Sequence, residues 1–156
     1  MSDTTVLGRP VTGEISYYAR RDRCEQWPAE KFLELLDAVL DCPNVEAVRW
    51  YQYTPYFNDG DACIFHTGEC YVKLVDGDPE AGDYEDGFVG SYELADWDRK
   101  LRKYTPKPGL EQLYPAFDEL ADSLDHFEEF LHDSFGDPAE VTATTDGFSV
   151  EFYDHD

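Results

Sequence analysis

The sequence predicts an α+β fold: a mostly antiparallel sheet, about three helices packed on one of its faces, and a C-terminal β-hairpin. Three patterns carry this expectation. Phe32, Leu35, Leu36, Val39 and Leu40 recur at the spacing of one helix face. Val45–Tyr53 alternates, with Val48 and Trp50 on one side and Arg49 and Tyr51 on the other. Residues 141–152 alternate again around Asp146-Gly147, a dipeptide suited to a two-residue hairpin turn.

In chain order, Ile15, Tyr17 and Ala19 alternate with Ser16, Tyr18 and Arg20, which predicts a strand over 14–20. A first helix starts at Pro28, whose missing N–H is not needed in the opening turn. It ends at Cys42-Pro43-Asn44, because proline disfavours helix in the residue before it. After the strand Val45–Tyr53, Pro55 and Asn58-Asp59-Gly60-Asp61 form a turn. Residues 63–75 resume strand character as two short strands bent at Thr67-Gly68. Residues 76–86 crowd six acids among Gly and Pro with no apolar period, and this predicts an exposed loop.

Leu94, Trp97 and Leu101 share one helical face and predict a second helix, followed by a stiff linker over 105–109. A third and longest helix is marked by Leu113, Phe117, Leu120, Leu124, Phe127 and Leu131, which recur at intervals of three and four. It is expected to start at Pro115, which would break an interior turn, and to end near Gly136. In the hairpin, a turn centred on Asp146-Gly147 pairs Thr145 with Phe148, Ala143 with Val150 and Val141 with Phe152.

The chain has 156 residues, a length that suits one domain spanning 1–156. An apolar share of 42% and an aromatic share of 15% argue against disorder. Twelve Lys and Arg against 35 Asp and Glu give a net charge of −23. Such a charge argues against direct binding to nucleic acid or anionic lipid and favours a basic partner. Salt adaptation and plain solvation explain the same acidity. No apolar run reaches the roughly 20 residues that span a bilayer, and the Met1-Ser-Asp start lacks signal-peptide features, so a cytoplasmic location is expected.

Motifs for chemistry are sparse. Cys24, Cys42, Cys63 and Cys70 form no Cys-x-x-Cys pair, and free thiols are expected in a reducing compartment, with a Cys63–Cys70 bridge left open. Asp59 and Asp61 could hold a divalent cation or serve as acid and base, yet no third acid follows at calcium-loop spacing. Glu129-x-x-His132 matches half of a di-iron motif without a second copy, and an ordinary solvated helix face is expected there. Cys63 and His66 would point to opposite faces of a strand. No metal or cofactor is expected.

The run from Gln52 to Phe65 reads Gln-Tyr-Thr-Pro-Tyr-Phe-Asn-Asp-Gly-Asp-Ala-Cys-Ile-Phe. It resembles the signature of a family of small bacteriophage and bacterial proteins of no assigned activity. Tyr51 stands where that signature would have threonine. The resemblance implies a phage or bacterial origin, a helix, this strand-turn-strand and a C-terminal hairpin, and it implies no reaction.

The expected function is that of an acidic, non-enzymatic interaction protein, such as a phage-encoded inhibitor in the host cytosol. Its carboxylates would imitate nucleic-acid phosphates and occupy a basic, nucleic-acid-binding host protein. Asp118, Asp122, Asp125 and Glu129 supply one acidic helix face at i, i+4, i+7 and i+11. Tyr53, Tyr56, Phe57, Asn58, Asp59 and Asp61 supply an aromatic loop with hot-spot chemistry. The alternatives are a small metal-assisted enzyme using Asp59 and Asp61, or a virion-associated structural protein.

Overall fold

The computed structural model describes residues 5–13, 15, 25–54, 65–77 and 87–152. The elements run β1 (Thr5–Val6), β2 (Arg9–Gly13), α1 (Ala29–Leu40), β3 (Val45–Tyr53), β4 (His66–Leu74) and β5 (Phe88–Val89). A 3-10 turn (Ser91–Glu93), β6 (Ala95–Asp98) and β7 (Lys103–Pro106) follow. Then come α2 (Leu113–Ser123), a second 3-10 turn (Leu124–Phe127), α3 (Glu128–Phe135), β8 (Ala139–Thr144) and β9 (Gly147–Glu151). Seven strands form one sheet in the order β1-β2-β9-β8-β3-β4-β5, antiparallel throughout except for the parallel pair β2–β9. The fold is therefore α+β with a mostly antiparallel sheet. No helix among the described residues is long and apolar enough to cross a membrane.

One face of the sheet carries Val48, Trp50, Val72, Val141, Ala143, Phe148 and Val150, all buried, and packs against both helical segments. Aromatic rings bind the layers together. Trp50 meets Phe32 of α1 at 5.6 Å and Phe135 of α3 at 5.9 Å, and Phe135 meets Phe148 at 5.0 Å. Offset and edge-to-face pairs of this kind add to plain area burial. The α1 stripe read from the sequence is buried throughout, and its helix starts at Ala29 behind Pro28.

Gln52 lies on the same face and is fully buried. Its Oε1 accepts the Trp50 indole N–H at 2.9 Å. Its Nε2 donates to the carbonyls of Leu131 and Gly136 at 2.8 and 2.7 Å. The end of α3 is thereby tied to the central strand, and a carbonyl beyond the helix end gains a donor inside the protein. Next along the chain, buried Asp137 accepts from both the backbone N–H and the hydroxyl of Thr54.

Several expectations need correction. Among the described residues there are two helical segments, α1 and the interrupted α2–α3 run, and not about three helices. The expected helix at Leu94–Leu101 is the two-stranded hairpin β6–β7, in which Asp98 Oδ1 accepts from the N–H groups of Lys100 and Leu101. An Asx-type turn of this kind competes with helix, and the hairpin buries Leu94 while leaving Trp97 and Leu101 exposed. Thr105 and Pro106 belong to β7 and not to a linker. The last helical segment begins at Leu113, two residues before Pro115, because the first N–H groups of a helix lack intrahelical acceptors anyway. It is also not continuous, since the turn at Leu124–Phe127 separates α2 from α3. At Thr67-Gly68 the chain does not split into two strands. Instead, β4 carries one extra residue between the pairs Trp50↔Cys70 and Gln52↔Thr67, a bulge. Cys70 is a free, buried thiol, and Cys63 lies outside the described residues. The strand expected over 14–20, apart from Ile15, and residues 78–86 of the acidic loop expected over 76–86 lie outside the described residues.

The C-terminal hairpin forms, but its register is shifted by two residues. Ala143 pairs with Phe148, Val141 with Val150 and Thr144 with Gly147, so Thr145 and Asp146 make the turn. A shift of two preserves the faces: Val141, Ala143, Phe148 and Val150 still point inward, while Phe152 is exposed. Gly147, with φ +143°, starts β9 against β2, where an added Cβ would strike the Pro10 carbonyl oxygen and lie 2.9 Å from Pro10 Cγ. The glycine serves this close approach, not the centre of the turn.

Two outcomes follow for urea unfolding. Gly147→Ala should cost about 1–3 kcal/mol through strain and the clash with Pro10, while Asp146→Ala should stay within about 0.5 kcal/mol. Gln52→Leu strips partners from one indole N–H and two carbonyls and should cost about 2–4 kcal/mol. Equal effects of the two hairpin variants would contradict the observed register.

Candidate interaction surface

Helices α2 and α3 are amphipathic. Phe117, Leu120, Leu124, Phe127 and Leu131 enter the core, and the acids emerge on the opposite side. Asp122, Asp125 and Glu129 are exposed, and Asp118 is half-buried. The turn at Leu124–Phe127 steps this row: Asp118 and Asp122 stand on α2, Asp125 on the turn and Glu129 on α3. The segment before α1 docks at the step. Gln26 donates to the carbonyl of Asp125 and accepts from the N–H of Glu129, at 3.1 and 2.9 Å. Trp27 stacks on His126 with ring centres 3.9 Å apart, and its N–H bonds the His126 carbonyl at 2.9 Å. The acidic row thus rests on a frame held from below by the core and at its middle by a second chain segment.

Beside α2 lies an aromatic patch that the sequence did not suggest. Trp97 and Tyr104 are directly opposite each other on β6 and β7, with rings 5.1 Å apart, and Tyr92 meets Tyr104 at 5.8 Å. They are 53%, 40% and 75% exposed. A helical reading of residues 94–101 had turned Trp97 inward and hidden this surface. Only the alternation of Asp96, Trp97 and Asp98 opposite Lys103, Tyr104 and Thr105 could have revealed a hairpin. At its turn end, Arg99, Lys100, Arg102 and Lys103 gather four of the twelve basic residues of the chain.

The aromatic and acidic parts are electrostatically one surface. Partial burial raises the Tyr114 hydroxyl above its ordinary pKa, and the charges of Asp118, Tyr104, Asp122 and Tyr92 raise it further. Burial, then repulsion from Asp122, also raises the Asp118 carboxyl. A carboxylate held against aromatic rings and a second acid costs stability for as long as it stays ionised.

Between the β4 bulge, the 3-10 turn at Ser91–Glu93 and α2 there is a cleft of about 360 Å³. Tyr71, Tyr92 and Phe117 wall it, and Glu69 and Glu93 border it. Glu69 accepts from the Tyr71 hydroxyl, and Glu93 Oε2 accepts from the Gly90 N–H at 2.9 Å.

Among the described residues, Tyr53 stands apart from the acidic row. Tyr53 is half-buried on the other face of the sheet, its ring 4.7 Å from His66, away from the helices. Tyr56, Phe57, Asn58, Asp59 and Asp61 lie outside the described residues. In the Glu129-x-x-His132 motif, Glu129 is exposed as expected, but His132 is buried with Phe65 edge-on at 4.8 Å. Glu128 is the acid that sequence reasoning missed. It is buried at the start of α3, and its Oε2 accepts from the N–H of Thr67 at 2.9 Å. Its position just N-terminal to Glu129, in a run of acids, carried no sequence signal of burial. Among the described residues no group of three His, Cys, Asp or Glu could hold a metal ion.

The raised Asp118 carboxyl makes a pH prediction. Its folded pKa exceeds the unfolded one, so its contribution to stability falls as pH rises through the window above the ordinary value of 3.8. Asp118→Asn should therefore stabilise at pH 7 by less than about 1 kcal/mol, given its partial exposure, and give no gain below both pKa values. Urea melts at several pH values measure this, and a gain independent of pH would assign the effect to another cause.

No protein-family model matches the chain, and neither a curated protein nor a solved structure matches it.

Proposed function

We propose that this chain is an acidic, non-enzymatic interaction protein whose carboxylates stand in for nucleic-acid phosphates on a basic surface of a host protein, in the manner of a phage-encoded inhibitor. The observation that supports this most is the stepped acidic row on α2 and α3, set on a rigid hydrophobic base. Residues four apart on a helix rise about 6 Å, so the row presents regularly spaced negative charges. Because the base is preorganised, little entropy is lost when a partner docks. The net charge of −23 adds long-range attraction for a basic protein and repulsion for nucleic acid itself. The adjoining aromatic patch supplies what charges alone lack, namely apolar area with few rotors, the usual source of slow dissociation.

The test uses the immobilised chain and a bacterial lysate. Captured proteins should be released by salt and displaced by duplex DNA, since the carboxylates and DNA compete for one basic surface. Asp122→Asn, Asp125→Asn and Glu129→Gln together leave a net charge of −23 + 3 = −20. Glu30→Gln, Glu34→Gln and Asp41→Asn leave the same charge and serve as the control. In surface-plasmon kinetics with a captured protein, the first set should slow association about tenfold and the second far less. Capture that DNA does not displace, or equal effects of both sets, would show that the acidity is only solvation.

A further inference from the structure

We propose that the cleft between the β4 bulge, the 3-10 turn at Ser91–Glu93 and α2 takes the guanidinium group of an arginine presented by a basic partner. This inference rests on the reading of the chain as a binder of basic proteins and names the chemistry of one contact. The cleft of about 360 Å³ falls in the size range of pockets that enclose small groups. Among the described residues its lining has two carboxylates, Glu69 and Glu93, and no lysine or arginine. Tyr92, which is 75% exposed, is the aromatic ring on its lining that is open to a partner, since Phe117 is fully buried and the Tyr71 ring meets Tyr51 on the outer sheet face. Aromatic faces beside carboxylates attract an organic cation twice, through the ring quadrupole and through charge-assisted hydrogen bonds.

Arginine suits this geometry better than a metal ion or lysine. A hard divalent cation would need about six oxygen ligands, and among the described residues two carboxylates border the cleft. Guanidinium is planar and weakly hydrated, stacks on a ring and forks toward carboxylates, whereas an ammonium group is a compact, strongly hydrated charge. Cys70 also lines the cleft, and burial pushes its thiol up to about 12, so it stays neutral and offers no competing chemistry. The cleft also lies where a partner would arrive. Phe117 and Ala121 line it from α2, while Asp118 and Asp122 occupy the next row of the same helix. Tyr92 borders the cleft and acts electrostatically on Tyr114 of that row.

The probe is a hexa-arginine peptide, with its uncharged citrulline counterpart, in isothermal titration calorimetry against the full chain. Glu69→Gln with Glu93→Gln should weaken hexa-arginine binding about tenfold or more, the usual loss for a charge-assisted contact. Glu30→Gln with Glu34→Gln, equal in charge, should weaken it less than about threefold. Tyr92 is 75% exposed, so replacing it leaves the fold intact. Tyr92→Leu should weaken binding severalfold, Tyr92→Phe should not, and the citrulline peptide should not bind. Equal losses in the two glutamate pairs, or wild-type affinity in Tyr92→Leu, would overturn the cleft. The phosphate-mimic reading stands or falls separately. Hexa-arginine has no DNA site, so a failed cleft leaves DNA-displaceable capture by the acidic row untouched, and failed DNA competition leaves the peptide result untouched.

Discussion

A buried amide is the polar tie at the centre of the two layers of this protein. Gln52 has no exposure, and each of its polar atoms is used: the oxygen by Trp50, the nitrogen by the carbonyls of Leu131 and Gly136. A buried amide left unsatisfied would cost more than a typical hydrogen bond contributes, so the arrangement is close to all-or-none. It fixes where α3 stops relative to β3. The chain then turns through Asp137, held by Thr54, and enters β8 alongside β3. The position of α3 in turn sets that of Glu128 under the β4 bulge. The acidic row and the cleft are thus held in register by contacts made on the buried side of the same helices.

The electrostatics of the molecule are lopsided in two ways. The outer sheet face uses its few cations locally: Arg49 bonds Thr142, pairs with Glu140 at 3.5 Å and lies over the Phe88 ring. Burial still raises the Glu140 carboxyl, although Arg49 opposes the shift. The helix side, in contrast, keeps Asp118 beside Asp122 and aromatic rings, where ionisation is unfavourable. Under the proposed reading, a basic partner's cations would relieve this repulsion on docking. The four cations at the turn end of β6–β7 are the densest basic group among the described residues.

Helix α1 and strand β3 were legible because burial itself writes their pattern: a stripe every three or four residues, or alternation. The hairpin β8–β9 was legible as alternation, and its inward residues were read correctly apart from Thr145 and Phe152, both of which are exposed. Its register was not, because Asp146-Gly147 has the composition of a turn centre while Gly147 is needed one position later for the approach of Pro10. The β6–β7 hairpin failed for a related reason. Leu94, Trp97 and Leu101 fit a helical face by spacing alone, and nothing local says that two of them stay in water. The aromatic half of the surface was therefore invisible, while its acidic half was counted directly.

By itself the sequence determined the acidity, the α+β class, the apolar stripes of α1 and of the 113–135 segment, and the inward faces of β3, β8 and β9. These follow from composition and from periodicities set by backbone geometry, which act within a few residues. Tertiary structure alone decided the hairpin register, the step between α2 and α3, the burial of Gln52, Glu128 and His132, and the meeting of Tyr92, Tyr104 and Asp118 around Tyr114. Each of these depends on atoms far apart in the chain competing for the same space or the same hydrogen bond. Such a competition is settled by packing and desolvation across the whole domain, and no local pattern records its outcome.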